Sequence, residues 1–107
     1  MTIEYTPEAI WSLKNIYEFI CQENNRAAAV IHNEILDKID QLCSFPQMAP
    51  IEPLLEDLAV SYRSLVVHSN YKVIYRVEGE KIFIVDIWDC RQKPEMLKKR
   101  IIKQKKQ

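Results

Sequence analysis

Four cationic side chains in the second half of the sequence are the best candidates for chemistry. They are Arg63, Lys72, Arg76 and Arg91, and they lie in or next to a stretch rich in Val, Ile and Tyr. Guanidinium groups suit phosphate and carboxylate because they offer a planar fork of donors and stay charged at any cellular pH. The alternative is that these cations only keep exposed strands soluble, which is a common protection against aggregation. The pattern therefore indicates a candidate anion-binding surface.

Few other residues suggest catalysis. His68 could act as a general acid or base because its ordinary pKa lies near neutrality, although a histidine in a turn more often just faces solvent. Asp86 and Asp89 are expected to pair with Arg91 or Lys93 rather than to bind a metal, since two carboxylates at one strand end do not complete a coordination sphere. The sequence has no Gly-rich phosphate loop, no G-x-S-x-G and no H-E-x-x-H. We therefore expect no cofactor and no metal.

The charges of the chain are distributed unevenly, although they sum to zero. Residues 1–57 carry three basic side chains against ten acidic ones, and residues 58–107 carry twelve basic against five acidic. Such an asymmetry in a small protein produces an electrostatic dipole and favours a charged partner. The basic half is expected to bind an acidic or phosphate-bearing partner, unless the charges only solvate the surface.

The first half of the sequence predicts a short strand followed by a helical hairpin. Ile3–Tyr5 is the predicted strand, and Thr6 and Pro7 are typical of a helix start. Asn24 is a second candidate cap, and Phe45-Pro46 is expected to end the second helix. The apolar stripes of the two helices, at a period of 3.6 residues, are Ala9, Ile10, Leu13, Ile16, Tyr17 and Ile20, and then Ala28, Ile31, Ile35, Ile39 and Leu42. Trp11 and Phe19 lie outside the stripe, either packed under a loop or exposed to a partner.

The second half predicts three antiparallel strands and a short helix. The strands are expected at Val60–Val67, Tyr71–Val77 and Lys81–Trp88, after a proline-rich connection, and Pro94 is expected to begin a basic helix. If both hairpins have two-residue loops, one sheet face packs on the helices and the other is open. On that assumption the packed face carries Tyr62, Ser64, Val66, Tyr71, Val73, Tyr75 and Val77, and the open face carries Arg63, Leu65, Val67, Lys72, Ile74 and Arg76.

These elements describe one α+β domain over residues 1–107. Three cysteines without a C-x-x-C pattern favour reduced thiols in the cytoplasm over a disulfide framework or a zinc site. The longest apolar run, Ile82–Val85, is too short to cross a bilayer, so no membrane association is expected.

The hairpin region resembles a known family. The run Y-R-S-L-V-V-H-S-N-Y-K-V-I-Y-R-V, followed by I-F-I-V-D-I-W-D-C-R, is similar to the RelE/ParE toxins of bacterial type II toxin–antitoxin systems. The helical half resembles them in its apolar pattern. The resemblance implies the fold described above and a cognate antitoxin that neutralises the toxin.

The resemblance also implies two modes of action. RelE-like members cleave mRNA in the ribosomal A site with a basic cluster and usually a Tyr or His, whereas ParE-like members inhibit DNA gyrase. By position, Arg63 and Lys72 match basic residues of the RelE-like cluster, and Arg91 matches the Arg after the last strand. Leu65 stands where a second Lys is often found, and Leu97 stands where the catalytic Tyr would be.

A ParE-like toxin is the leading hypothesis, because Leu97 can neither transfer a proton nor stack on a base. The alternative is a RelE-like, metal-independent endoribonuclease in which Arg91 and Lys72 stabilise the phosphorane and Arg63 positions the backbone, with His68 as a further candidate. A second alternative is a passive module that binds nucleic acid or an acidic protein.

Overall fold

Residues 1–105, which the computed structural model describes, form four strands, three α-helices and one 3-10 turn. In chain order these are β1 (Thr2–Tyr5), α1 (Pro7–Cys21), α2 (Asn25–Gln41), the 3-10 turn Pro53–Leu55, β2 (Arg63–Val67), β3 (Tyr71–Glu78), β4 (Lys81–Asp89) and α3 (Pro94–Lys105). The α+β order predicted from the sequence is confirmed. The largest differences in boundaries are that α2 ends at Gln41, before Phe45-Pro46, and that β2 begins at Arg63, after Val60. The strands β1, β3 and β4 each extend one residue beyond the predicted range.

Both helices of the hairpin begin at the predicted caps. The hydroxyl oxygen of Thr6 accepts a hydrogen bond from the amide of Ala9 at 3.1 Å and donates one to the carbonyl of Val85 at 3.0 Å. The side-chain oxygen of Asn24 accepts from the amide of Ala27 at 3.0 Å. These bonds satisfy amides that have no partner inside the helix. Thr6 also ties the start of α1 to the sheet.

Helix α1 is rotated relative to the predicted stripe. Ala9 and Ser12 are its buried residues, while Ile10 is 56% exposed and Tyr17 is 38% exposed. The prediction that Ile10 and Tyr17 belong to the buried stripe is therefore wrong. The reason is a polar contact, because the hydroxyl of Ser12 bonds to Asp86 beneath the helix at 2.6 Å and keeps that side of α1 inward.

The sheet has the strand order β1-β4-β3-β2. Strands β2, β3 and β4 form the predicted antiparallel meander, and β1 pairs in parallel with β4, with Ile3 opposite Ile82. The helical hairpin supplies the long connection that a parallel pair requires when β1 and β4 are neighbours in space. The N-terminal strand therefore belongs to the same sheet as the meander.

The two hairpin loops differ in length. Glu78 pairs with Lys81, so the second loop has two residues, with Gly79 at φ +58°. Val67 pairs with Tyr71, so the first loop has three residues, 68–70, with two of them at φ +51°. The assumption of two-residue loops is therefore wrong for the first hairpin. A slip of one residue moves every side chain of a strand to the other face.

The longer loop inverts β2 relative to β3. Arg63 lies opposite Tyr75 and Leu65 lies opposite Val73, so β2 presents these residues on the face that packs against the helices. Lys72 and Ile74 lie on the other face. The prediction that Arg63, Leu65 and Val67 share a face with Lys72, Ile74 and Arg76 is wrong.

Both faces of the sheet are covered. The face toward the hairpin holds a core that includes Ile35, Ile39, Leu42, Leu65, Val67, Val73, Tyr75, Ile84 and Ile87. The opposite face, predicted to be open, holds a second core of Leu55, Tyr62, Ile74, Val85, Trp88, Leu97 and Ile101. The 3-10 turn and α3 supply the cover on this side, and Leu97 and Ile101 dock α3 as their spacing predicts.

A β-bulge places Asp86 between α1 and α3. Ile74 pairs with Asp86 while Tyr75 pairs with Ile84, which leaves Val85 as an extra residue on β4. The carboxylate of Asp86 is fully buried, and its Oδ1 accepts from the Ser12 hydroxyl at 2.6 Å. The Nη2 of Arg100 lies 3.2 Å from Oδ1 and 3.1 Å from Oδ2. One carboxylate thus joins the first helix, the sheet and the last helix.

Arg100→Ala is expected to lower the free energy of unfolding by about 3–5 kcal/mol at neutral pH, because it leaves Asp86 as a buried charge without its countercharge. Burial raises the pKa of Asp86 above its ordinary value, against the opposing effects of Ser12 and Arg100. Asp86 becomes protonated as the pH falls through that raised pKa, and the unfavourable free energy of burying its charge is then removed. Urea unfolding at a series of pH values should show that the deficit of the variant narrows as the pH is lowered from neutral.

Lys14→Ala is the control for this comparison, since Lys14 is 73% exposed and only forms a surface pair with Glu18. It should change the free energy of unfolding by less than about 1 kcal/mol at each of these pH values. A deficit of Arg100→Ala that stays constant with pH would contradict an ionised Asp86 in the native protein.

Candidate partner-binding site

The four cations singled out in the sequence do not converge on one surface. Arg63 lies on the helix-facing side of the sheet, where its Nη1 donates to the carbonyl of Ala49 at 2.6 Å. Lys72 and Arg76 lie on the opposite side, and Arg91 follows the end of β4. Arg63 therefore holds the loop after α2 in place, and it does not join Lys72 on a common face.

Lys72 is half of a buried ion pair. Its Nζ donates to Oε1 of Glu52 at 2.6 Å, and the side chain of Glu52 is only 1% exposed. Oε2 of Glu52 accepts from the amide of Leu54 at 2.8 Å. Burial acts to raise the pKa of Glu52, but the Leu54 amide and the Lys72 ammonium outweigh it and hold that pKa below its ordinary value. The pair fixes the proline-rich connection onto β3.

Arg76 also has partners within the chain. Its guanidinium pairs with the carboxylate of Glu78 and lies 4.2 Å from the ring centroid of Phe83 on the neighbouring strand. A cation over an aromatic face gains roughly 0.5–2 kcal/mol, depending on how far it is desolvated. Arg76 therefore packs along the sheet surface.

The side chain of Arg91 is more exposed than those of Lys72 and Arg76. Its Nε and Nη2 lie 3.0 Å from the two oxygens of Asp89, and Nη2 also donates to the hydroxyl of Tyr71 at 3.1 Å. Although burial opposes it, this fork lowers the pKa of Asp89, and the bond to Asp89 raises the pKa of Arg91 further. With 54% of its side chain exposed, Arg91 keeps a guanidinium edge accessible to a partner.

The two positions that were considered for proton transfer are those of His68 and Leu97. His68 lies in the three-residue loop, where its Nδ1 is 3.0 Å from the carboxylate of Glu34 on α2. Leu97, which the sequence resemblance matches to the catalytic Tyr of RelE-like toxins, is fully buried in the second core. A side chain there anchors α3 and has no access to a substrate.

A groove lies beside α1 in the described part of the chain. It has a volume of about 240 Å³ and runs between α1 and the end of the meander. Trp11 and Phe19 line it and are 61% and 59% exposed, so they are not packed under a loop, and contact with a partner stays a prediction. Its other lining residues are Ser12, Asn15, Ile16, Tyr71, Ile87, Asp89, Gln92 and Arg100. Half-exposed aromatic side chains in a groove are typical of protein-binding surfaces.

Arg100 closes one end of the groove. Its guanidinium carbon lies 5.8 Å from the ring centroid of Trp11 and 5.7 Å from that of Trp88, and Nη2 donates to the Ser12 hydroxyl at 2.8 Å. The sequence placed Arg100 only in a basic tail. The signal that could have found its role is Asp86, a carboxylate inside the apolar run F-I-V-D-I-W, because a buried charge requires a partner.

Comparison with known proteins agrees with this fold. Residues 3–94 match the family described as the ParE toxin of type II toxin-antitoxin system, parDE. The chain belongs to the ParE toxin family. Among solved structures, the chromosomal ParDE TA system from P. aeruginosa has a similar fold, with a TM-score of 0.67 and 21% sequence identity, over 83% of this chain and 95% of that one. No curated protein matches the sequence significantly.

Family membership confirms the predicted function as a ParE-like toxin of a type II toxin–antitoxin system. It also implies a cognate antitoxin as the partner of this ParE-family toxin. The alternatives of a RelE-like nuclease and of a passive binding module are not favoured. Within residues 1–105, no helix is both long enough and apolar enough to span a membrane.

Lys72→Met is expected to lower the free energy of unfolding by about 3 kcal/mol at neutral pH, because it leaves the Glu52 carboxylate buried without its cation. A carboxylate with a lowered pKa stabilises the native protein above its unfolded pKa of about 4.5, and this stability is lost as the pH falls through the lowered value. The thermal midpoints of the wild type and of Lys72→Met, measured from about pH 7 to about pH 3, should therefore converge at low pH. Lys81→Met, which removes an exposed strand Lys paired with Glu4, is the control and should change little. Equal stability at neutral pH would show that the pair does not stabilise the fold.

Arg91→Ala is expected to reduce growth inhibition at least about tenfold while changing the free energy of unfolding by less than about 1 kcal/mol, because an exposed ion pair contributes little to stability. The measurements are colony counts after induction and urea unfolding. Lys81→Ala is the matched control, since its side chain is also 54% exposed and paired with a carboxylate. An Arg91→Ala variant that unfolds would show instead that the residue is structural.

Proposed function

We propose that this toxin acts in the cytoplasm by binding and inhibiting DNA gyrase, without cleaving RNA. The observation that carries the proposal is the burial of Leu97 in the second core, at the position where a nuclease of the wider family has its Tyr. General acid–base groups contribute about 100- to 10,000-fold to such reactions, so a toxin without one at this position gains little from the remaining cations.

The pairing of the cations supports the same proposal. Lys72 and Arg63 are bound to Glu52 and Ala49, so a phosphate would have to displace contacts that hold the proline-rich connection in place. A transition-state site requires donors that are already directed at the developing charge. Arg91 remains as an exposed recognition residue, and a role in contacting the target needs no proton transfer.

We expect that the purified protein inhibits supercoiling by gyrase and leaves mRNA intact on translating ribosomes. Supercoiling is measured by agarose electrophoresis of relaxed plasmid, and cleavage by primer extension on a defined mRNA. Arg91→Ala should weaken inhibition of supercoiling at least about tenfold if Arg91 contacts the target, and Lys81→Ala serves as the matched control.

Efficient cleavage of mRNA in the A site, lost in His68→Ala or Arg91→Ala, would overturn the proposal and assign a RelE-like mechanism. In that mechanism Arg91 and Lys72 would stabilise the phosphate and Arg63 would position the backbone, with His68 as the proton-transfer group. If the purified protein inhibits neither gyrase nor translation, both targets are rejected.

A further inference from the structure

The backbone around Arg91 is held by hydrogen bonds on both sides of the residue. The amide of Cys90 donates to the carbonyl of Asn70 at 2.7 Å, which continues the pairing of β4 with β3 by one residue. The amide of Arg91 donates to Oδ1 of Asp89 at 2.9 Å, and the amide of Gln92 donates to the carbonyl of Asp89 at 3.1 Å. Arg91 therefore lies in a tight turn that begins directly at the end of a hydrogen-bonded strand.

Two neighbouring side chains hold the guanidinium of Arg91. Asp89 accepts from Nε with Oδ1 and from Nη2 with Oδ2, both at 3.0 Å, which makes a two-point fork. The hydroxyl oxygen of Tyr71 accepts from Nη2 at 3.1 Å, and Tyr71 is only 3% exposed, so it is a fixed support. Within residues 1–105 no bond is described for Nη1. Its two N–H groups are therefore the donors that remain for a partner.

These contacts lower the entropy that Arg91 loses when a partner binds. A free arginine side chain samples many rotamers, and ordering such a side chain at an interface opposes association. In this protein the ordering is completed on folding, because the fork fixes the plane of the guanidinium before any partner arrives. The side chain is nevertheless 54% exposed. An arginine that is both accessible and fixed suits a specific hydrogen bond better than general attraction to charge.

We infer that Asp89 and Tyr71 are positioning residues for target recognition, and that they direct Nη1 of Arg91 to a carbonyl or carboxylate oxygen of a protein target. The inference rests on the proposed function, in which Arg91 contacts the target. Neither positioning residue has to touch the target, because the effect of both passes through Arg91. A lysine at this position would keep the charge but not the fork, since an ammonium has no planar pair of donors.

The test is a double-mutant cycle on growth inhibition, with the amount of toxin in the cells measured by immunoblotting. The single variants are Asp89→Asn, Tyr71→Phe, Arg91→Ala and Arg91→Lys, and the first two are also combined with Arg91→Ala. Asp89→Asn keeps the shape of the side chain but turns an amide toward the guanidinium, and Tyr71→Phe removes only the hydroxyl. Glu78→Gln is the matched control, because Glu78 is a surface carboxylate paired with a different arginine, Arg76. Thermal midpoints establish that each variant is folded.

Asp89→Asn should raise the amount of toxin that halves growth about three- to tenfold and Tyr71→Phe about threefold, while Glu78→Gln stays within about twofold. Arg91→Lys should lose nearly as much activity as Arg91→Ala. In the Arg91→Ala background, Asp89→Asn and Tyr71→Phe should each add less than about twofold, because the residue through which they act is absent. Losses that add in full would overturn the inference. Wild-type activity of Asp89→Asn or of Arg91→Lys would overturn it too, because charge alone would then be recognised.

A second measurement requires no target. The order parameter of the Arg91 Nε–H group, from NMR relaxation of the free toxin, should be high in the wild type and lower in Asp89→Asn and Tyr71→Phe. A wild-type value typical of a flexible side chain would overturn the inference, because nothing would then be positioned.

These outcomes separate the inference from the proposed function. A wild-type protein that leaves supercoiling unaffected would reject gyrase as the target, while the cycle on growth inhibition still tested the positioning. Inhibition of supercoiling by the wild type, together with fully additive losses, would retain the target and reject the positioning.

Discussion

The carboxylate of Asp86 has no contact with water, and the way it is neutralised constrains most of the molecule. It takes its partners from three elements, namely Ser12 on α1, the neighbouring amide of Ile87 on β4 and Arg100 on α3. Each partner must arrive in a fixed orientation, because a buried charge with poor geometry costs several kcal/mol. The rotation of α1, the bulge at Val85 and the docking of α3 are therefore mutually dependent. The same constraint brings Trp11 and Arg100 together and so forms one end of the groove.

The parts of the fold that local chemistry determines could be predicted from the sequence. Thr6 and Asn24 cap helices by bonds within three residues, and Gly79 permits a two-residue loop because its φ is positive. The spacing of Leu97 and Ile101 similarly predicted the buried side of α3. In each case the interaction that decides the structure lies within one turn of the chain, so the pattern of residues contains it.

The register of the first hairpin could not be predicted in this way. His68 and Ser69 both adopt φ +51°, a conformation that residues other than Gly, Asn and Asp seldom favour, so nothing in their types announces a three-residue loop. Because the side-chain period of a strand is two, this one extra residue moved Arg63 to the other face of the sheet. The predicted basic cluster depended on that register. The second core was missed as well, since part of its cover, which includes Leu55 of the 3-10 turn, comes from a connection without periodicity.

The location of the groove depends on long-range contacts as well. An apolar period alone assigns Ile10 and Tyr17 to the interior, and it cannot show that Ser12 is held inward by a carboxylate 74 residues away. Once α1 is rotated, Trp11 and Phe19 are directed outward beside the sheet.

The cations of the chain fall into two groups, those that are bound within the fold and those that are exposed. Lys72, Arg63, Arg76 and Arg100 are bound to groups within the protein, whereas Arg91 and Lys103 are exposed to a partner. Exposed charge mainly accelerates association and selects the sign of the partner, while buried apolar area mainly slows dissociation. Arg91 and Lys103 can therefore act on the rate of association, and the exposed rings of Trp11 and Phe19 can act on the lifetime of a complex.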